Sequence, residues 1–280
     1  SIAYLTRRLD ENTSPDNFLR ALFTLRPGTA EWADQADRFT AAMDARHTVS
    51  TATRRTQDRS QAPAPVDAAT FANCADTDWT RAANRDWIAA HMADEGAGAP
   101  PVVATVGEVD AAVATAVEAG RRWAATPFAE RRTVLLAAAD EMERSRGTTL
   151  AVMARTACKT VAEGDPEVSE GIDFAHYYAW CTHAIDAGQQ RGLTFTPHGV
   201  VLVASPWNFP YAISAGGVFA ALAAGNAVVL KPAPEVREVA HELAQQLWRA
   251  GVPRDLVQLV ATHLVVGRRH ETAQLFRSWK

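Results

Sequence analysis

Short apolar runs alternate with a helical pattern in the second half of the chain. Residues 200–203 form a β-branched apolar run, and residues 227–230 form another. Between them, residues 211–224 are apolar on nearly every face, which is typical of a helix buried against a sheet. Two apolar strands joined by a helix make a βαβ unit of a parallel sheet. We therefore predict these two strands and this helix, which Gly225 and Asn226 end.

The pattern continues on both sides of this unit. An amphipathic helix is predicted over 235–250 and a third strand over 256–260. One helix is predicted near 82–92, and three amphipathic helices follow: over 106–123, from Thr126-Pro127 to about Arg144, and from Asp165-Pro166 to about Ile185. In the last two, a capping residue is expected to precede a proline at the first helical position. The predicted class is α/β, a partial Rossmann-like parallel sheet preceded by helices.

After the third predicted strand, the next apolar run follows too closely for a helix to lie between the two. Residues 264–266 could form a fourth strand, but only Ala261, Thr262 and His263 separate it from the third. A parallel crossover with its helix takes at least about ten to twelve residues. We therefore expect irregular structure over 261–270 and a segment missing near 261–269.

Composition narrows the function classes. The 280 residues are 48% hydrophobic and 21% charged, with a net charge of −4, so neither nucleic acid nor an anionic membrane is an expected partner. No apolar stretch is long enough to span a bilayer, and the first residues lack a signal-peptide layout. The three cysteines are irregularly spaced and the eight histidines show no metal-ligand spacing. We expect a cytoplasmic protein without disulfides or a metal site.

Two turns that follow predicted strands carry the candidate chemistry. Asn208 lies in the first turn, and Lys231 ends the second strand. Ligands of parallel sheets bind outside the carboxyl ends of the strands. Lysine occurs only at positions 159, 231 and 280, so Lys231 stands out. Judged from the residues alone, a turn asparagine bonded to local backbone and a surface lysine remain the simpler alternatives.

At these turns the chain resembles the aldehyde dehydrogenase superfamily. The PWNFP turn at 206–210 and the KPA turn at 231–233 resemble its nucleotide-domain signatures. Residues 72–88 and 163–180 resemble the pyrroline-5-carboxylate (glutamate semialdehyde) dehydrogenase branch, in its bifunctional proline-utilisation form. The resemblance covers most of residues 65–260.

The resemblance implies a role for each turn residue. The side-chain amide of Asn208 would donate to the oxyanion that forms on the attacked aldehyde, and Lys231 would bind the adenosine ribose of NAD. Further cofactor contacts are implied for Pro206, Trp207 and Gly267. Trp207, together with Phe209, is also interpreted as core or pocket wall. NADP stays open, because Pro234 stands where related enzymes often have a glutamate that binds the ribose. Arg268 and Arg269, which follow Gly267, would be bulky in a phosphate-binding turn, although their charges could attract phosphate.

A second resemblance lies at the start of the chain. Tyr4, Arg7, Arg8 and Glu11 fall on one helical face and resemble the last helix of a proline dehydrogenase barrel, in which this pattern binds the proline carboxylate. A helix with solvated charges is the alternative. FAD would belong to the barrel, which is almost wholly absent. We predict a barrel remnant over 1–28, a linker with a solvated charge run over 29–67, and an incomplete NAD-binding domain over 68–280.

The implied reaction is NAD-linked oxidation of L-glutamate γ-semialdehyde to glutamate in proline catabolism. By resemblance, a cysteine thiolate attacks the aldehyde, and the parent enzyme is a homo-oligomer. That nucleophile and the general base are expected beyond residue 280. We interpret Cys74, in a linker-like region, and Cys158 and Cys181, in helices, as inert. The alternative is a non-catalytic, truncated chain that at most binds a nucleotide or a partner subunit.

Overall fold

A computed structural model describes residue 9 and the ranges 17–50, 55–63, 70–102 and 105–262 of the chain. The chain divides into two compact units, Ser1–Thr56 and Gln57–Lys280. The described part of the first unit contains helices α1 (Phe18–Ala21) and α2 (Ala30–Ala45). The side chains of Asn17 and Thr29 cap these helices by accepting hydrogen bonds from backbone N–H groups of the first turn.

The second unit contains the α/β fold. Its elements follow in the order α3 (Ala82–His91), α4 (Val106–Ala124), α5 (Phe128–Arg144), α6 (Arg146–Thr156), α7 (Val161–Gln190), β1 (Val200–Ala204), α8 (Ala212–Ala223), β2 (Ala227–Lys231), α9 (Arg237–Arg249) and β3 (Val257–Leu259). A short 3₁₀ turn, Pro234–Val236, leads from β2 into α9.

The described strands form a parallel sheet in the order β1-β2-β3. The register pairs Val200 with Ala227 and Ala204 with Lys231, so β1 and β2 end side by side. Hydrogen bonds from Val228 N to Leu256 O and from Val260 N to Leu230 O extend the β2–β3 ladder by one residue at each end of β3. The predicted α/β class and its three parallel strands are confirmed.

Helix α8 is the buried crossover that its apolar sequence predicts. It packs against the long helix α7 and against β1 and β2, while α4 contacts all three strands. Gly225 ends α8 with φ +88°, and its N–H donates to Leu222 O at 3.0 Å. The left-handed backbone favours glycine there, and a Cβ would also lie 2.7 Å from the Arg131 guanidinium and displace it.

The structure corrects the predicted starts of two helices. Helix α5 begins at Phe128 with Pro127 as its N-cap, and the Thr126 hydroxyl instead donates to Arg122 O at 3.3 Å. Helix α7 begins at Val161, where Thr160 and Glu163 form a capping box, and Pro166 lies inside it. The Asp165 carboxylate does not cap a helix, because Arg146 and Thr77 bind it in the core.

Two further features differ from expectation. Helix α6 was not predicted, because seven of its eleven residues are buried and the sequence therefore shows no narrow apolar stripe. The predicted solvated charge run fails at Arg59, whose guanidinium pairs with Glu143 and donates to the Thr77 hydroxyl at 3.1 Å. The side chains of Arg59 and Glu143 are only 12% and 14% exposed.

Candidate functional site

The turn between β1 and α8 is anchored at both ends. At its start, Ser205 N donates to Lys231 O at 3.2 Å, which joins the turn to the end of β2. The Ser214 hydroxyl on α8 lies 2.6 Å from both the Ser205 hydroxyl and the Pro210 carbonyl oxygen. The hydroxyl therefore closes the loop between the first and last residues of the turn.

The middle of the turn is held by a lysine from another part of the chain. The Lys159 ammonium donates to the Asn208 carbonyl oxygen at 3.2 Å and lies 4.4 Å from the centre of the Phe209 ring. It also pairs with one carboxylate oxygen of Glu167, which is only 2% exposed. The other oxygen accepts hydrogen bonds from the N–H groups of Tyr211, at 2.7 Å, and Ala212, at 3.2 Å. Glu167 thus binds the amino end of α8 and the lysine that holds the turn.

Asn208 is exposed, and its side-chain amide makes no hydrogen bond to any of the described residues. The simpler alternative, an asparagine whose side chain bonds to local backbone, therefore finds no support in the described part of the chain. The amide is available to an oxygen of a ligand. Its backbone carbonyl group, in contrast, accepts the hydrogen bond from Lys159.

The neighbouring aromatic residues do not belong to the core. Trp207 is 62% exposed and Phe209 is 43% exposed, and Pro206 is also exposed. The interpretation of Trp207 and Phe209 as core residues is wrong, because the turn projects beyond the strand ends. Their role as pocket wall, and the cofactor contacts of Pro206 and Trp207, stay predictions.

Lys231 lies at the carboxyl end of β2, opposite Ala204 in the register. Burial lowers the pKa of its ammonium, and the nearby Glu235 carboxylate partly opposes this shift. Among the described residues, the ammonium has no hydrogen-bond or ion-pair partner. A half-buried cation without a partner at the edge of a sheet can bind hydroxyl or phosphate oxygens of a ligand. Pro234 opens the following 3₁₀ turn and offers no side-chain acceptor.

Cys74 and Cys158 lie in surroundings that differ from those predicted, whereas Cys181 lies in a helix as predicted. Cys74 is not in a linker: Arg146 Nη2 donates to its Sγ at 3.0 Å, and burial raises the pKa of the thiol to about 11. A thiol with this pKa is protonated near neutral pH, so Cys74 is a poor nucleophile. Cys158 is not in a helix: it is exposed, between α6 and α7, with φ +53°. Cys181 is partly buried in α7.

The remaining predicted residues, Gly267, Tyr4, Arg7, Arg8 and Glu11, lie outside the described residues. Neither Lys159 nor Glu167 is among the predicted site residues, although the scarcity of lysine is a signal that points to Lys159. Within the described ranges, no group of three or more His, Cys, Asp or Glu side chains could hold a metal ion. None of the described helices has the length and apolar character needed to cross a membrane.

Comparison with known proteins identifies the family. A model of the aldehyde dehydrogenase family matches residues 86–277, which include α4 to α9 and the three described strands. The chain belongs to the aldehyde dehydrogenase family. It is therefore a member of a family of oxidoreductases, as the PWNFP and KPA turns predict.

Two relatives show which branch of the aldehyde dehydrogenase family this chain is similar to. The chain is 42% identical over 157 residues to bifunctional protein PutA of Escherichia coli K12, covering 56% of this chain and 12% of that protein. It is 35% identical over 161 residues to 1-pyrroline-5-carboxylate dehydrogenase of Bacillus pumilus, covering 55% of this chain and 31% of that protein. The chain thus spans less than a third of either relative.

The solved structures to which this chain is similar include the same two kinds of protein. Proline utilization A from Corynebacterium freiburgense matches 94% of this chain and 24% of its own length, with a TM-score of 0.64 and 38% identity. A 1-pyrroline-5-carboxylate dehydrogenase mutant from Thermus thermophilus has a TM-score of 0.62 at 22% identity, so it supports the fold alone. The predicted resemblance to the proline-utilisation form of the family is confirmed.

Proposed function

We propose that this chain is part of an NAD-dependent dehydrogenase that oxidises L-glutamate γ-semialdehyde to glutamate in proline catabolism. The supporting observation is the arrangement of Asn208 and Lys231 at the adjacent carboxyl ends of β1 and β2, in a chain similar to PutA and to 1-pyrroline-5-carboxylate dehydrogenases. A homo-oligomeric parent enzyme and a cytoplasmic location belong to the same proposal.

The described residues fit a nicotinamide dinucleotide. Lys231 offers an unpartnered, half-buried ammonium for the ribose hydroxyls, next to the sheet edge at which such ligands bind. Glu235 carries a negative charge close enough to act on Lys231, and this charge would repel the 2′-phosphate of NADP. We therefore favour NAD over NADP, although Pro234 cannot bind the ribose.

Asn208 would act on the aldehyde rather than on the cofactor. As the substrate carbon changes from trigonal to tetrahedral, negative charge develops on its oxygen, and the free amide N–H of Asn208 would stabilise that charge. NAD, when bound, supplies the acceptor for the hydride that leaves this carbon. The balanced reaction takes aldehyde, NAD⁺ and water to carboxylate, NADH and two protons.

Titration calorimetry of the chain with NAD and with NADP tests the cofactor site. Lys231→Ala should weaken NAD binding about tenfold or more, which corresponds to about 1.4 kcal/mol, because a charged hydrogen bond to the ribose is lost. Arg121→Ala removes an exposed cation that pairs with Glu118 on α4, and it should bind NAD as the parent does. Equal NAD affinity of Lys231→Ala and the parent would rule out the ribose contact.

A second assay tests the interpretation of the cysteines as inert. NADH formation is measured with L-glutamate γ-semialdehyde and the chain. If Cys74, Cys158 and Cys181 are all inert, the chain should bind NAD without forming NADH, and NADH formation that Cys158→Ala or Cys181→Ala abolishes would contradict this interpretation. Any NADH formation should fall by about 100-fold in Asn208→Ala, since one oxyanion donor contributes about 2.7–4 kcal/mol in other enzymes.

A further inference from the structure

We propose that Lys159 and Glu167 are positioning residues that fix the backbone of Asn208. We call them, with the Asn208 carbonyl group, the turn clamp. The proposal rests on the proposed function, because it concerns the residue expected to stabilise the oxyanion. It assigns a purpose to one of the only three lysines in the chain.

The lysine of the turn clamp follows the carboxyl end of helix α6, which comes before all three described strands in the chain. Helix α6 ends at Thr156, and Cys158 follows with φ +53°. Lys159 N then donates to Met153 O at 3.4 Å, so the chain folds back onto the last turn of α6. This geometry places Lys159 between the end of α6 and the start of α7, with its ammonium on the Asn208 carbonyl.

The contacts of the Lys159 ammonium compensate for the loss of water around it. The side chain of Lys159 is 15% exposed, and Glu167 is nearly inaccessible. The ammonium has three donors, and its contacts are the Glu167 carboxylate, the Asn208 carbonyl and the face of the Phe209 ring. Glu167 in turn is neutralised by Lys159 and accepts two backbone N–H groups. A buried pair with its remaining hydrogen bonds satisfied can hold a defined geometry.

The exposure of the turn explains why the clamp is needed. Pro206, Trp207, Asn208 and Phe209 are all exposed, so hydrophobic burial does not fix them. Ser214 holds only the first and last residues of the turn. Lys159 supplies the hold at the middle, on the residue whose amide is proposed to meet the oxyanion. Donors contribute most to transition-state stabilisation when they are held in place beforehand.

Nitrogen-15 relaxation of the whole chain tests the clamp without substrate or cofactor. In the parent, the backbone N–H of Asn208 should be as ordered as that of Ala212, with an order parameter of about 0.85. In the double variant Lys159→Met with Glu167→Gln, the glutamine oxygen still accepts from the amino end of α8. The Asn208 order parameter should then fall below about 0.6 while that of Ala212 is unchanged.

Three further variants sharpen the result. Lys159→Arg keeps a cation at the site and should retain most of the order at Asn208. Arg155→Met removes a neighbouring cation that instead donates to the carbonyl groups of Asp94 and Glu95, and it should leave Asn208 as in the parent. Asn208→Asp identifies the side-chain amide signal, whose line width should follow the backbone result.

Several outcomes would overturn the proposal. One is an Asn208 N–H that is already mobile in the parent, which needs no variant to observe. Another is an unchanged order parameter at Asn208 in the double variant. Loss of order at Asn208 and Ala212 together would reduce the pair to a structural role. None of these measurements involves NAD or aldehyde, so the clamp can fail while NAD binding persists, and the reverse.

Discussion

At the scale of single residues, His176 is the least compensated buried group of the described chain. It is 8% exposed, and neither ring nitrogen has a hydrogen-bond partner among the described residues. Burial lowers the pKa of its imidazole, and the carboxylates of Asp140, Asp173 and Glu143 oppose that shift without reversing it. Folding therefore favours the neutral imidazole, and the unfolded chain binds a proton more readily.

This lowered pKa predicts a loss of stability in mild acid. Below the unfolded pKa of about 6.5, the unfolded state takes up a proton that the folded state resists, so the free energy of unfolding should fall between pH 7 and pH 5. The contribution of one group is at most about 1.4 kcal/mol per pH unit. His176→Phe should remove this contribution, as measured by urea unfolding at both pH values.

The matched control is His183→Gln, on the same helix. His183 is exposed, so its replacement should change the free energy of unfolding by less than about 0.5 kcal/mol. The same pH dependence in the parent and in His176→Phe would contradict the prediction.

The sequence identifies single residues well only where the local chain carries the signal. Asn208 and Lys231 lie in turns whose residue types and positions after apolar strands are visible in the sequence. Lys159 and Glu167 are not identified, because their partners, Asn208 and the amino end of α8, lie more than forty residues away. The burial of Asp165 is hidden for the same reason, since Thr77 is 88 residues distant.

At the scale of elements, Asp165 joins three segments that the sequence shows as separate. Its carboxylate pairs with Arg146 at 2.9 Å, at the start of α6, and accepts from the N–H and hydroxyl of Thr77 at 2.6 and 2.7 Å. Both charged side chains are fully buried. Although burial alone would disfavour its charge, the carboxylates of Glu143 and Asp165 raise the pKa of Arg146.

Removing one member of this pair should be strongly destabilising. In Asp165→Ala, Arg146 loses a buried partner and the backbone of Thr77 loses its acceptor, so the free energy of unfolding should fall by about 3–5 kcal/mol. Urea unfolding measures the change. Glu170→Ala, at an exposed position of α7, should change it by less than about 0.5 kcal/mol. A loss below about 1 kcal/mol in Asp165→Ala would contradict the structural role.

Element prediction succeeds where apolar residues have a clear period. The strands and α8 follow from their apolar runs, and α4 and α9 from their amphipathic stripes. The predicted start of α7 is wrong because Asp165-Pro166 resembles a helix cap. The capping box of Thr160 and Glu163, at which the helix actually begins, is also visible in the sequence. Local signals of equal strength compete, and the tertiary contacts of Asp165 decide between them.

At the scale of the whole molecule, the structure raises a question about where the second unit begins. The domain prediction starts at Ala68, whereas the compact unit starts at Gln57. Gln57 donates to Asp76 O at 3.0 Å and accepts from Asp78 N at 2.7 Å. The backbone N–H of Arg59 donates to the Asn84 side chain at 2.8 Å, and Asn84 is fully buried.

Two truncated chains distinguish these boundaries. A chain that begins at Gln57 should unfold with nearly the same free energy as the unit in the full chain, because these contacts are kept. A chain that begins at Ala68 should be less stable by about 2–4 kcal/mol, since Glu143 loses the Arg59 guanidinium and buried Asn84 loses hydrogen bonds. Urea unfolding, followed by tryptophan fluorescence, measures both.

The double variant Gln57→Ala with Arg59→Ala in the full chain should reproduce the loss, because it removes the same contacts without shortening the chain. Equal stability of the two truncated chains would instead support a domain that starts at Ala68, with contacts of residues 57–63 that contribute no stability.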